Sequence, residues 1–243
     1  MKVLICGDMH GDLGYARRIV DYAVRNLCEA IIVCGDFGLW EHEQDGLKFT
    51  TKLSEKLLNE GIKLLFVDGN HENHDLLDLY HEEKISKNCE VDGIVEIKAN
   101  IYHIPRGHIF ELGNTTLMGF GGAFSIDRAR RKVGKSLWLQ EEITEEDLAF
   151  AIYCFETTGK DIDVIISHEG PRVPLCLYFC KDDLNSVQQR GLIQRLLKAI
   201  KPNKLFFGHY HVFSQFYYGN CECQCLPGTE YVDKSTDFVI VGM

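Results

Sequence analysis

Along this chain, runs of consecutive apolar residues end abruptly at polar side chains. Lys2-Val3-Leu4-Ile5-Cys6 stops at Gly7-Asp8-Met9-His10-Gly11, and Ala30-Ile31-Ile32-Val33-Cys34 stops at Gly35-Asp36. Lys63-Leu64-Leu65-Phe66-Val67 leads through Asp68 into Gly69-Asn70-His71-Glu72. Asp163-Val164-Ile165-Ile166-Ser167 precedes His168, and Lys204-Leu205-Phe206-Phe207 precedes Gly208-His209-Tyr210-His211. Short runs of this kind, without polar alternation, predict strands covered on both faces. Between the first two, Leu13, Ala16, Ile19, Val20, Ala23 and Leu27 recur at helical spacing and predict a helix over about 13–28. A second helix is predicted from Glu41 to Asn59, stopped by Gly61. The opening third thus alternates strand and helix, as a right-handed parallel sheet requires.

From Gly93 to Gly122 the pattern shortens into strands at Ile94–Ile97, Ile101–Ile104, His108–Leu112 and Thr115–Phe120, with Gly113-Asn114 as a hairpin turn. Thr144 followed by Glu145-Glu146-Asp147 offers a hydroxyl cap and an acidic first turn, predicting a helix to about Thr157. Another helix is predicted over Ser186–Ile200, ending before Pro202, and the tail after His211 reads as three short strands. A single domain over 1–243, built of two mixed sheets with helices outside them, accounts for this order.

Composition narrows the setting. A chain of 243 residues, 45% hydrophobic and 26% charged, is long enough for a large core. Its net charge of −10 speaks against broad binding to nucleic acid or to an anionic membrane. An anionic substrate stays open, because bound divalent ions would reverse the local sign. No stretch approaches a membrane span, and no signal peptide precedes the first strand. Ten cysteines in that context predict reduced thiols and a cytoplasmic location.

The polar residues after the strands are chemically selective. In open α/β sheets the functional crevice lies beyond the carboxyl ends of the strands. Asp8 and His10 share one tight turn, Asp36 follows a glycine, Asn70 offers a neutral carbonyl oxygen, and His168, His209 and His211 offer nitrogens. Such mixed oxygen and nitrogen donors suit a divalent cation. These seven side chains are too many for one ion and suit two, provided one carboxylate bridges.

Asp8-x-His10, Gly35-Asp36, Gly69-Asn70-His71-Glu72, His168 and Gly208-His209-x-His211 resemble, in order and over nearly the whole chain, the five motifs of the calcineurin-like metallophosphoesterases. The resemblance implies a four-layer α/β/β/α sandwich with two mixed β-sheets and a metal site at the carboxyl ends of the strands. It implies that Asp8, His10 and His211 hold one metal, that Asn70, His168 and His209 hold a second, and that Asp36 bridges both. The implied reaction is hydrolysis of a phosphomonoester or phosphodiester by a hydroxide shared between the metals, with His71 as proton donor to the leaving oxygen. Mn²⁺ is the expected activator, with Fe, Zn, Ni and Mg as alternatives that the ligand set does not separate.

The chain also departs from that pattern. Protein phosphatases of the superfamily continue through an Asp-Arg-Gly element after the bridging aspartate, whereas here Phe37-Gly38-Leu39-Trp40-Glu41 follows. This disfavours a Ser/Thr or Tyr protein phosphatase, the runner-up within the enzyme class; a non-catalytic metal-binding scaffold is the alternative outside it. It also leaves open whether Glu72 or Asp75 orients His71. Nucleic acid enters only as a nucleotide or oligonucleotide substrate, and the oligomeric state is unknown from sequence.

Two further clusters stand out. Arg128, Arg130, Arg131, Lys132 and Lys135 follow the Gly119–Gly122 turn in an otherwise acidic chain. They read either as a solvated loop or as a clamp on a phosphate, with Arg128 and Arg172 as the candidate substrate contacts. Cys221, Cys223 and Cys225 share one strand face without a fourth ligand and read as core or surface thiols. Asp12 is expected to cap the first helix.

Overall fold

Burial along the strands decides the layering. In β1 (Lys2–Cys6), Val3 and Ile5 face one way, Leu4 and Cys6 the other, and all four are fully buried. The computed structural model, which describes residues 1–40, 44–86, 93–172, 184–229 and 238–243, shows what covers each face. Val3 and Ile5 join Ile32, Val67, Leu117, Val164, Ile166 and Phe206 in a core between two sheets. Leu4 and Cys6 pack outward with Tyr15, Ile19, Phe49, Leu53 and Leu77 of the covering helices. A third cluster joins Met118, Phe120, Ile165 and Phe207 to Leu148, Leu192 and Leu196 on the opposite outer face. Helices, sheet, sheet, helices: this is the four-layer α/β/β/α arrangement.

The first sheet has the order β12-β1-β2-β3-β5-β4. Its parallel centre is β1, β2 (Ala30–Val33), β3 (Lys63–Phe66) and β5 (Ile101–His103). The edges β12 (Phe238–Gly242) and β4 (Val95–Lys98) run antiparallel. In the second sheet β7 (Thr115–Phe120), β8 (Val164–Ser167), β9 (Lys204–Phe207) and β11 (Cys221–Cys225) are parallel. Its edges β6 (Ile109–Leu112) and β10 (Ser214–Tyr218) are antiparallel. Both sheets are therefore mixed. Cys221, Cys223 and Cys225 turn their thiols into the core beneath the outer helices.

The outer helices are α1 (Leu13–Arg25), α2 (Gln44–Glu60) and α3 (His74–Ser86) on one side, with α4 (Glu145–Thr158) and α5 (Leu184–Ile200) on the other. Asp12 caps α1, its Oδ1 accepting the Tyr15 N–H at 2.9 Å. Thr144 and Asp147 form a reciprocal capping box at α4, and Gly159 closes that helix in the left-handed region. The Glu41 start expected for α2 lies outside the described residues. Helix α3 has no counterpart in the sequence reading. Its apolar residues do not gather on one stripe: Leu77 is buried while Leu79 is 57% exposed. Among the described residues no helix is long and apolar enough to cross a membrane.

Candidate metal centre

Five parallel strands, β1, β2, β3, β8 and β9, end at one rim, and each delivers its loop there. The turns are tight enough to force unusual backbone. His10, Asp36, His209 and His211 all adopt positive φ, between 45° and 68°, a region that side chains bearing a Cβ rarely occupy. Gly35 and Gly69 are required by close approach. A Cβ at Gly35 would lie 2.3 Å from His168 Nδ1, and one at Gly69 would lie 2.1 Å from Asp36 Oδ1. The backbone of each loop thus abuts a candidate ligand from another.

Asp8, at the end of β1, is fully buried. Its Oδ1 accepts the His209 N–H at 3.0 Å, and its Oδ2 faces His211 Nε2 at 3.0 Å and His10 Nε2 at 3.7 Å. The two imidazole nitrogens lie 3.1 Å apart. Three electron-rich atoms converge here, so either a shared proton or a cation must lie among them. Asp36 Oδ2 is 3.8 Å from His10 Nε2 on this side and 3.4 Å from His168 Nε2 on the other.

His168 is fully buried, and its Nδ1 donates to the Cys34 carbonyl at 2.8 Å, which turns Nε2 toward Asn70 Oδ1 at 3.0 Å. Burial alone would push this imidazole down, but the carboxylates of Asp36 and Asp8 pull it up to about 10. The two carboxylates thus favour positive charge beside His168, which a bound cation would supply in place of a proton. His209, ring centroid 5.0 Å from His168, is held down to about 3 by burial and by the His168 charge, so its lone pair is available. Burial opposes ionisation of Asp36, yet the charges of His168, His71 and His10 hold its carboxyl well below the usual range. Two groups of acid and histidine ligands, Asp8–His10–His211 and Asp8–Asp36–His168, have donor atoms within 4.8 Å of one another. These residues fit a pair of divalent cations.

His71 sits at the mouth. Its ring centroid is 5.4 Å from that of His10, and it lines a cleft of about 370 Å³ together with Asp36, Asn70, His209, His211 and Ile126. Burial pushes its pKa down; the charge of Asp36 opposes this, while Arg131 adds to it. Glu72 turns away, accepting the N–H groups of Phe37, Gly38 and Leu39 at 2.6, 3.1 and 3.2 Å. Asp75 accepts from Gln140 at 3.3 Å. The segment that replaces the Asp-Arg-Gly element is thus held by Glu72, and Trp40 Nε1 donates back to the His71 carbonyl.

The basic run separates into individual roles. Arg128 pairs with Glu142 at 2.6 Å and lies 4.8 Å above the Phe124 ring. The Arg172 side chain is exposed, and its carbonyl accepts from Gln194. Arg131 is the member that reaches the centre: its Nη2 donates to the Asn70 carbonyl at 2.9 Å, and its Nη1 to Ser125 Oγ. Ser125 also accepts from Asn70 Nδ2 at 2.9 Å. Behind it lies Glu141, fully buried, which burial pushes up to about 7 against the hydrogen bond from Ser125 and the charge of Arg131. Sequence reasoning did not find Ser125 or Glu141; the glycine-rich turn after β7 was the one local signal.

Comparison with known proteins bears on the family and the fold. The family described as calcineurin-like phosphoesterase matches residues 1–213. No curated protein sequence matches the chain. Among solved structures, the protein TT1561 of Thermus thermophilus is 13% identical with a TM-score of 0.60, over 93% of this chain and 89% of that one. The phosphopantetheinyl hydrolase of Mycobacterium tuberculosis is 14% identical with a TM-score of 0.54, over 99% and 95%. A putative 5'-nucleotidase from Staphylococcus aureus is 12% identical with a TM-score of 0.54, over 99% of this chain and 52% of that one. At such identities the likeness is one of fold. The family match over 1–213 carries more: the chain belongs to the calcineurin-like phosphoesterase family, hydrolases that act on phosphate esters.

Proposed function

We propose that this chain holds two divalent cations and hydrolyses a phosphomonoester or phosphodiester directly, without a covalent enzyme intermediate. The observation that carries the reading is the place of Asp36, whose Oδ2 lies between His10 Nε2 at 3.8 Å and His168 Nε2 at 3.4 Å. Asp8, His10 and His211 would hold one ion, Asn70, His168 and His209 the other, and Asp36 both. Bound there, the ions would acidify a coordinated water and draw charge from the phosphoryl oxygens. Mn²⁺ is the first candidate, ahead of Fe, Zn, Ni and Mg.

The chain's own groups do the rest. Asp8 and Asp36 stay ionised despite burial, which keeps the donor set intact at neutral pH. His71, at the mouth of the cleft, delivers a proton to the leaving oxygen. Arg128 and Arg172 are the proposed anion contacts on the substrate, Arg128 by turning from Glu142. Reduced thiols and an acidic surface suit residence in the cytoplasm.

The test is metal analysis of the purified protein, together with hydrolysis of p-nitrophenyl phosphate and its bis ester under added Mn²⁺. Two ions per chain and a preference for one ester are expected. Turnover that survives complete removal of metal would overturn the reading.

A further inference from the structure

We propose that Ser125 is a positioning residue that decides which end of the Asn70 carboxamide faces the cations, with Arg131 and Glu141 fixing the polarity of its hydroxyl. The inference rests on Asn70 being a ligand, as proposed above. A carboxamide coordinates through its oxygen; its other end carries two N–H donors and no lone pair to offer. The two ends have nearly the same shape, so a half-turn of the side chain would exchange a ligand for a repellent group. Something must choose between them.

The choice is made by a chain of groups whose directions are chemically forced. Asn70 Nδ2 donates to Ser125 Oγ at 2.9 Å, which leaves Oδ1 3.0 Å from His168 Nε2. A serine hydroxyl could instead donate to the amide oxygen and hold the opposite orientation. Arg131 weighs against this: its guanidinium has only donors, and its Nη1 donates to one lone pair of Ser125 Oγ while Asn70 Nδ2 takes the other, which turns the hydroxyl proton away from the amide. Glu141 stands on the far side of the hydroxyl, its Oε1 accepting the Ser125 N–H at 3.3 Å and its Oε2 3.5 Å from Arg131 Nη1, so a carboxyl oxygen rather than a second donor faces the remaining side of Ser125. In either protonation state Glu141 retains an acceptor oxygen. The Ser125 lone pairs therefore face Arg131 and Asn70.

Burial makes the constraint strict. Asn70, Ser125 and Glu141 are at most 3% exposed, and the Arg131 side chain is 8% exposed. Water is poorly placed to satisfy a reversed amide. The second arm of Arg131, Nη2 to the Asn70 carbonyl at 2.9 Å, anchors the same residue through its main chain.

The experiment measures Mn²⁺ binding by calorimetry and by metal content for wild type, Ser125→Ala, Asn70→Asp and the double variant. Asp presents oxygen at both ends, so there is no orientation left to choose. Ser125→Ala is expected to weaken one of the two Mn²⁺ sites by about tenfold and leave the other unchanged. In the Asn70→Asp background the same change should cost less than about twofold. Ser125→Gly repeats the measurement if the alanine protein does not fold. Two undisturbed sites in Ser125→Ala, or equal losses in both backgrounds, overturn the inference while the metal reading stands. A wild type that binds no more than one ion, unaffected by Asn70→Ala, overturns both.

Discussion

The backbone N–H of His71 donates to Asp36 Oδ1 at 2.8 Å. One carboxylate thus fixes the main chain of the proposed proton donor with one oxygen and turns its other oxygen to both histidine groups. Trp40 clamps the same residue from the carbonyl side. With both main-chain groups engaged, the His71 ring is left as the part that faces the cleft.

Because Asp36 stands between His10 and His168, removing its charge should affect both cation sites at once. Asp36→Asn is expected to bind fewer than two Mn²⁺ ions per chain and to lose activity by at least about a hundredfold. Metal content after dialysis, read beside the turnover of p-nitrophenyl phosphate, checks this. A variant that keeps two tightly bound ions contradicts a bridging carboxylate.

His71→Asn should separate chemistry from metal binding. Both ions are expected to remain, while turnover of an ester with a poor leaving group falls by roughly 10²–10⁴. The loss should be smaller for p-nitrophenyl phosphate, whose leaving oxygen needs little protonation. Equal loss on both esters would remove His71 from the proton-transfer role.

Arg128→Ala and Arg172→Ala test the anion contacts. A guanidinium that meets the phosphate should, when removed, raise KM by roughly ten- to a hundredfold, since a hydrogen bond to a charged group contributes about 1.5–3 kcal/mol. Steady-state kinetics decides. Unchanged KM in both variants assigns Arg128 to its pair with Glu142 alone.

A separate prediction concerns the support of the Asn70 loop. Arg106 reaches Asp68 at 2.6 Å, Asp147 at 3.0 Å and the Glu142 carbonyl at 2.8 Å, which ties the end of the first sheet to α4. Burial would push the Asp68 carboxyl up, but the Arg106 charge holds it well below the usual range. A depressed carboxyl contributes stability that is present above its unfolded pKa and fades as the pH falls toward its folded one. Arg106→Ala leaves Asp68 buried without this partner and should cost about 3–5 kcal/mol at neutral pH, a fall in Tm of roughly 6–20 °C. The gap between variant and wild type should narrow below about pH 4. Thermal melts at pH 7 and pH 3.5 measure it, and a gap that stays constant rules out Asp68 as the cause.

Much of the frame was legible in the linear chain because its signals are local. A strand covered on both faces must be apolar at consecutive positions, and β1, β2, β3, β8 and β9 all are. Tight turns at the strand ends place Asp8, His10, Asp36, Asn70, His168, His209 and His211 at one rim, and the folded chain brings their side chains together. Helix α3 escaped because burial of Leu77 beside an exposed Leu79 leaves no single stripe to read.

Contacts between distant segments were a different matter. Asn70 meets Ser125 across 55 residues, and Arg131 meets the Asn70 carbonyl across 61. Nothing in the spacing of Arg128, Arg130 and Arg131 says which one turns inward, since a short basic run has no periodicity that separates buried from solvated. Glu72 likewise looked like a partner for His71 until the fold turned it onto the Phe37–Leu39 amides. Periodicity and turn chemistry report a residue's immediate neighbours; the direction of a hydrogen bond across the molecule depends on where the sheets carry both ends.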